Sequence, residues 1–437
     1  MKKMSSVSVI GLGYVGLPTA VLAAQCGYDV TGYDIDFNKL EKIKNGDPTI
    51  VEPEIFQRLN EVLLTEKLKI SSKLQPSDCF LISVPTPLKN DKKSDMSAVY
   101  DAGEKIAAVL KQGDLVILES TVKVGTTMKL AKILEDKYGL KLGINFYVAY
   151  CPERVLPGNT FKELIENNRV IGATCLGAAE LSKDFYSKFV KGKLEFADDK
   201  TAELVKLIEN SSRDVQIAFA NQVDEMAKEI GIDSYNVIRI ANKHPRVNIL
   251  NPTCGVGGHC IAVDPWFLIE SFPKNTKLLQ ISRSINDKKP GAIISDVLNK
   301  AEEFKQLNNR KPIITALGIA FKPDVDDVRE SPALKIANEL NQKDNLDFYV
   351  YDPFIDKKNF NNNNLKTFDK LNDAIKKADI ILFLVKHSLF FQIKEKEFFG
   401  KQLIDTCGLM QCFSQKNKMF LQDAIKVSSE SKQTFTF

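Results

Sequence analysis

The spacing of apolar and polar residues changes character twice along the chain. Up to about residue 150, short β-branched runs alternate with helical stretches. The runs "VSVIG", "YDVTGYD", "CFLISVP", "DLVILES" and "NFYVAYCP" read as strands. They are too apolar to face water on one side, so they suit a parallel sheet covered on both faces. Residues 200–231, "KTAELVKLIENSSRDVQIAFANQVDEMAKEIG", hold no proline and no interior glycine. That stretch predicts one helix of about 30 residues, roughly 45 Å long, ended by Gly231. It is either an ordinary bundle helix or a spine between domains that also makes a dimer. From about residue 312 the strand–helix rhythm returns in "PIITALGIAF", "LDFYVYDP", "ADIILFLVKH" and "KQLIDTCG". "YVYDP" echoes "VTGYDID", and "ADIILFLVKH" echoes "SDCFLISVPT". The expected fold is α/β, with two Rossmann-like doubly wound domains joined by a long central helix and a helical middle region. The expected boundaries are 1–200, 201–305 and 306–437.

Composition narrows the function classes. The 437 residues carry 60 basic and 56 acidic side chains, a formal charge of +4, and no Lys/Arg-rich block. That balance argues against a nucleic-acid partner. No apolar run approaches the roughly 20 residues that span a bilayer, so no membrane association is expected. "MKKMSSVSVIGLG" breaks into glycines without a cleavage site and reads as a first strand rather than a signal peptide. A cytoplasmic location is expected, with the eight cysteines kept as thiols. The three histidines are His244, His259 and His387, and no C-x-x-C or H-x-x-x-H pairing occurs, so no metal is expected.

The first strand ends in Gly11-x-Gly13-x-x-Gly16 and leads into a helix. Gly11 permits the tight turn, Gly13 admits a pyrophosphate, and Gly16 lets helix and strand pack closely. Asp34 ends the second strand, where a carboxylate accepts from a ribose 2′-OH and repels a 2′-phosphate. NAD is therefore favoured over NADP. Lys39 complicates this, as a cation near an extra phosphate or simply a solvated helix lysine.

Two further stretches carry chemistry. Lys206, Asn210 and Arg213 fall on one face of the long helix, either a solvated polar stripe or donors for a substrate. In "GVGGHCIAVDP" (255–265) a thiol stands in a glycine-rich loop as metal ligand, packed core thiol or nucleophile. Asp264 is either part of a polar network or the N-cap before Pro265.

With "GLGYVGLP", "SVPTP", "ESTVKVGTT", "CPERVLPG", "ELVKLIEN", "GVGGHCIAVDP" and "FKPDVDDVRESP" in order, nearly the whole chain resembles the UDP-glucose/GDP-mannose dehydrogenases. These are four-electron oxidoreductases of nucleotide sugars. "HPRVNIL" and "GVGGHCIAVDPWF" look most like the branch acting on UDP-N-acetylmannosamine. Cys254, in "NPTCG", departs from the "PGPG" usual in that branch and leaves the loop's shape open.

The resemblance implies specific roles. Cys260 is the nucleophile: it adds to the aldehyde formed by the first oxidation, and the resulting thiohemiacetal can release a second hydride. Lys206 is the acid/base lysine, with Asn210 on the oxyanion. Thr121 and Glu153 hold the hydrolytic water, and Glu153 is also a general base. Arg154, Val155 and Leu156 line the substrate, while Arg213, His244, Arg246, Gly257, Phe321 and Lys322 contact the nucleotide sugar. Tyr14, Val15, Asp34, Thr86 and Arg329 contact NAD, beside Thr121. Val155 and Phe321 are otherwise plain packing, His244 otherwise a loop histidine bonded to backbone, and His259 a loop support turned away from Cys260. The implied partners are a UDP-sugar and a second copy through the central helix, and the product feeds surface polysaccharide. UDP-N-acetylglucosamine, and then UDP-glucose, are the alternative substrates. A one-step β-hydroxyacid dehydrogenase and a non-catalytic nucleotide-sugar sensor are the rival classes.

Overall fold

The near-continuous apolar runs of the first 150 residues become buried parallel strands. The computed structural model describes residues 4–50, 52–155, 158–356, 360 and 364–413. Its residues group into two units, Met1–Asn210 with Val263–Asn275, and Ser211–Ala262 with Thr276–Phe437.

The first unit holds β1 (Ser6–Ile10), α1 (Gly16–Gln25), β2 (Asp29–Tyr33), α2 (Phe37–Lys44), α3 (Ile55–Leu64), β3 (Leu68–Ser71) and β4 (Cys79–Ile82). Then follow α4 (Ser97–Ala107), β5 (Leu115–Leu118), α5 (Thr126–Tyr138), β6 (Tyr147–Tyr150), α6 (Thr160–Glu166), β7 (Arg169–Ala173), α7 (Leu176–Tyr186) and β8 (Leu194–Asp198). The strands form one sheet in the order β3-β2-β1-β4-β5-β6-β7-β8. Its direction of growth reverses between β1 and β4, the place where doubly wound sheets open a ligand crevice. β1, β4 and β5 are buried on both faces, as their composition required.

Two features differ from the sequence expectation. β3, β7 and β8 are additional strands: β3 and β8 form the two edges, and β8 reads as half-exposed "LEFAD", without the apolar run of a central strand. β7 also runs antiparallel to β6, pairing Tyr150 with Gly172. That reversal brings the start of β7, not its end, to the carboxyl edge of the sheet.

The predicted long helix is α8, Asp199–Glu229, 31 residues. Asp198 caps its start by accepting from the Thr201 N–H and hydroxyl. Its end is a Schellman turn: Gly231 has φ 71°, its N–H meets the Lys228 carbonyl, and the Ile232 N–H meets Ala227. Near its start, buried Glu203 accepts from Gly125 N at 2.5 Å, Thr127 N at 2.7 Å and Thr127 Oγ1 at 2.6 Å. One carboxylate thus satisfies the first turn of α5 and fixes α8 against it.

The second unit adds α9 (Ser234–Ala241) and α11 (Lys277–Asn308); α10 (Asp264–Ser271) belongs to the first. Beyond α11, β9 (Ile313–Leu317), α12 (Pro332–Asn341), β10 (Asp347–Tyr351), the helix Leu371–Lys377, β11 (Ile380–Phe383) and β12 (Gln402–Asp405) make a parallel sheet ordered β10-β9-β11-β12. The sequence echo is structural. Gly11 (φ 92°) donates to the Tyr33 carbonyl, and Gly318 (φ 86°) donates to Tyr351. Asp34 accepts from the Leu12 N–H at 2.9 Å, and Asp352 accepts from the Ile319 N–H at 2.7 Å.

Glu203→Ala leaves the buried Thr127 N–H and the half-buried Gly125 N–H unpaired, at a cost of about 2 kcal/mol. Calorimetry should show a melting temperature lower by about 4–8 °C; an unchanged value would contradict this role for Glu203.

Candidate active site

The glycine turn has the three spacings that a dinucleotide needs. A Cβ on Gly11 would sit 2.5 Å from the Ser83 carbonyl oxygen, and one on Gly16 would sit 1.9 Å from the Gly11 oxygen. At Gly13 a Cβ would meet nothing within 4 Å, so the backbone there is open for close approach. Tyr14 and Val15 follow in the turn, with Val15 at the N-cap of α1. Asp34 Oδ1 accepts the Asp36 N–H at 3.0 Å, while Oδ2 takes Leu12 N–H and Lys39 Nζ, both at 2.9 Å. Burial pushes its carboxyl up, but the Leu12 N–H, Lys39 and the Asp36 N–H outweigh it and hold the group below its ordinary value. Oδ1 keeps a lone pair for a ribose hydroxyl. Lys39 is thus paired with Asp34, with its side chain still 30% exposed. The residues fit a dinucleotide whose ribose carries a free 2′-hydroxyl. Thr86 lies just past β4 and donates through Oγ1 to the Thr121 carbonyl at 2.7 Å, which ties two of the proposed contact residues together.

Lys206 and Asn210, one helical turn apart on α8, both face Asp264. Asn210 Nδ2 donates to Asp264 Oδ2 at 2.5 Å. Lys206 and Asp264 are both buried. Burial pushes the Asp264 carboxyl up to about 6, against the pull of the Lys206 ammonium and the Asn210 amide. Asp264 is not the N-cap of α10. Val263 holds the N-cap of α10, Asp264 is already helical, and its side chain belongs to the polar network.

Glu153 lies just past β6. Its Oε1 accepts the Arg154 N–H at 2.6 Å and its Oε2 accepts Arg169 Nη1 at 2.7 Å. The Arg154 guanidinium turns to Glu209 at 2.7 Å and to the Asn168 carbonyl. Val155 packs against the core of the first unit. Leu156 lies outside the described residues.

In the second unit the Cys260 loop is shaped by its glycines. A Cβ on Gly257 would strike the Glu330 carbonyl oxygen at 2.4 Å, and one on Gly258 would strike the Phe321 ring at 2.8 Å. The loop therefore lies directly on "FKPDVDDVRESP". Cys260 is exposed, whereas Cys254 is buried in the apolar core and its thiol is pushed up to about 12 by burial. The departure at 254 is thus a core-packing substitution. Lys322 lies over the Phe321 ring, 5.7 Å from its centroid. His259 lies beside the Arg329–Asp327 ion pair; partial burial of its ring and the Arg329 guanidinium push it below the ordinary value. His244 Nδ1 accepts the Arg246 N–H at 3.3 Å, the backbone-bonded alternative for that histidine, and Arg213 and Arg246 are exposed.

Three buried groups near these sites were not singled out from sequence. Glu119 follows a fully apolar strand, Arg169 begins "RVIGA", and His387 ends "ADIILFLVKH". Each is a polar side chain at the end of an apolar run, the one signal that marks it. His387 bridges Asp352, at 3.1 Å from Nε2, and the Asp324 N–H, at 3.0 Å from Nδ1.

Comparison with known proteins gives this geometry a family. The UDP-glucose/GDP-mannose dehydrogenase family matches through three domain models: its NAD binding domain over residues 5–190, its central domain over 200–288 and its UDP binding domain over 315–411. The chain belongs to this family. It is an NAD-dependent nucleotide-sugar dehydrogenase, which displaces the β-hydroxyacid dehydrogenase alternative. A UDP-N-acetyl-D-mannosamine dehydrogenase of Methanococcus vannielii is 41% identical over 400 residues, 91% of this chain and 89% of that one. An NDP-N-acetyl-D-galactosaminuronic acid dehydrogenase of Ralstonia solanacearum is 39% identical, covering 92% and 96%. The structure of UDP-D-ManNAc dehydrogenase from Pyrococcus horikoshii superposes with TM-score 0.84 at 40% identity, over 92% of this chain and 96% of that one. Among the described residues no helix is long and apolar enough to cross a membrane.

The Asp34–Lys39 pair yields a cofactor prediction. The double variant Asp34→Gly, Lys39→Arg removes the ribose acceptor and leaves a cation, so the NADP/NAD ratio of kcat/KM should rise roughly 100-fold. Initial rates with each cofactor measure it, and an unchanged ratio would contradict the ribose assignment.

Proposed function

We propose that this dehydrogenase oxidises the C6 alcohol of UDP-N-acetyl-D-mannosamine to the carboxylate in two steps, with Cys260 holding the sugar between them. The observation that carries this reading is the contrast between two thiols of one loop. Cys254 is sealed in the core, while Cys260 is exposed on a glycine-lined stretch packed against Phe321 and Glu330. Relatives about 40% identical over nine-tenths of the chain bear the name of a UDP-N-acetyl-D-mannosamine dehydrogenase, which supports the choice of sugar.

Each residue then has a task. NAD, when bound, accepts one hydride in each of the two oxidations. Lys206, as the acid/base lysine, takes the proton of the C6 hydroxyl and then stabilises the oxygen left behind, while Asn210 donates to the same oxygen. The Cys260 thiolate adds to the aldehyde carbon, forming a C–S bond and an oxyanion. Collapse of that oxyanion expels the second hydride and leaves a thioester. Glu153, with Thr121, then takes a proton from water as its oxygen adds to the thioester carbon. The C–S bond breaks, and thiolate and carboxylate separate. Asp264 orients Lys206 and Asn210. Phe321, Lys322, Arg213, His244, Arg246 and Gly257 recognise the UDP-sugar; Tyr14, Val15, Thr86 and Arg329 hold the cofactor.

The working form is a homodimer through α8. Val215, Phe219, Val223, Met226 and Ile230 recur at helical spacing along that helix, with Phe219, Met226 and Ile230 more than half exposed. A stripe of that kind is usually covered by a partner. The proposed setting is the cytoplasm, where Cys260 stays reduced, and the uronate supplies surface polysaccharide.

An NADH-production screen with UDP-N-acetylmannosamine, UDP-N-acetylglucosamine, UDP-N-acetylgalactosamine, UDP-glucose and GDP-mannose tests the assignment. The expected result is highest kcat/KM for the first, with two NADH per sugar. One NADH with an aldehyde product, or preference for another sugar, would overturn the corresponding part.

A further inference from the structure

The antiparallel turn of β7 has a consequence at Glu153. Tyr150 pairs with Gly172. Carried three residues on, that register sets Glu153 opposite Arg169. The guanidinium is buried and reaches Glu153 through Nη1 at 2.7 Å. Its other arm, Nη2, bonds Glu119 and also lies 3.3 Å from the Cys151 carbonyl and from Tyr186 Oη. Its carbon sits 4.2 Å from the centroid of the Tyr186 ring. A guanidinium is a rigid planar fork, so fixing one arm on Glu119 aims the other.

Glu119 is itself fixed from three sides. Oε1 accepts from Arg169 and from Tyr186 Oη at 2.8 Å, and Oε2 accepts from Ser83 Oγ at 2.9 Å. Burial pushes the Glu119 carboxyl up to about 7, against the pull of Arg169. Ser83 is the residue whose carbonyl abuts Gly11. A continuous line of contacts therefore runs along the carboxyl edge of the sheet, from the cofactor turn to Glu153.

We propose that Arg169, anchored by Glu119, is a positioning residue that holds the Glu153 carboxylate in place for hydrolysis of the Cys260 thioester. This rests on the reading of Glu153 as the base for that step. There, water oxygen bonds to the thioester carbon, the C–S electron pair leaves on sulfur, and the water proton passes to Glu153. No further oxidant or reductant is involved. Arg169 touches none of the reacting atoms; it sets where the proton acceptor stands. The first oxidation needs no water activation and is insensitive to it.

Acid-quenched single-turnover reactions with NAD and UDP-N-acetyl-D-mannosamine, read by intact-protein mass and by NADH absorbance, test the idea. Arg169→Lys keeps the charge and loses the fork; Glu119→Gln keeps the shape and loses the anchoring charge. Both should release NADH at a rate within about threefold of wild type, accumulate a covalent sugar adduct on Cys260, and slow hydrolysis by about tenfold or more. Glu153→Gln is the reference and should accumulate the same adduct. If Glu153→Gln accumulates adduct and neither Arg169→Lys nor Glu119→Gln does, the positioning role is wrong while the base assignment stands. If Glu153→Gln accumulates none, the base assignment fails and the proposal with it. A general loss of packing would slow NADH release and hydrolysis together without adduct, and would also overturn it. Should Arg169→Lys not fold, Glu119→Gln alone decides between these outcomes.

Discussion

The structure depends on one constraint: backbone N–H groups left unpaired in the loops and first helical turns that follow the strands must find acceptors. Where they are buried, an unpaired donor costs too much to leave. Here carboxylates supply the acceptors. Asp34 serves Leu12 and Asp36, Asp352 serves Ile319, Ala320 and Phe354, Glu203 serves Gly125 and Thr127, and Glu52 serves Gly158 and Thr160. Each of these carboxylates fixes a loop that carries proposed cofactor or substrate residues. Loop geometry and catalytic geometry thus come from the same contacts.

The two α/β halves solve that problem alike and then diverge. Asp34 bonds one backbone N–H through Oδ1, keeps slight side-chain exposure, and balances its charge with Lys39. Asp352 is closed off by His387, which also receives the Asp324 N–H. Its side chain fully buried, Asp352 is not placed to meet a ribose in the way proposed for Asp34. The same duplicated frame thus accommodates NAD in one half and the UDP-binding domain in the other.

Much of this was legible in the chain. The glycine turn and Asp34 follow from spacing, and the length of α8 and its Gly231 stop follow from the absence of breakers. The residues that escaped notice share a physical reason. β8 is an edge strand with no fully buried position, so it lacks an apolar run. The reversal of β7 is set by tertiary pairing with β6, which no local pattern encodes. Arg169 and Glu119 lie about fifty residues apart, and a buried ion pair reads in sequence as two ordinary surface charges. Asp264 was ambiguous because a carboxylate before a proline has both capping and network roles; its contact with Asn210 on another helix decides it.

In the proposed reaction one thiol carries the sugar between two oxidations. Binding and turnover of Cys260→Ser, measured by calorimetry with NAD and UDP-N-acetyl-D-mannosamine and by product analysis, test it most directly. Both ligands should bind within a few-fold of wild-type affinity, with no uronate above background. Uronate formed at near wild-type rate by that variant would contradict it.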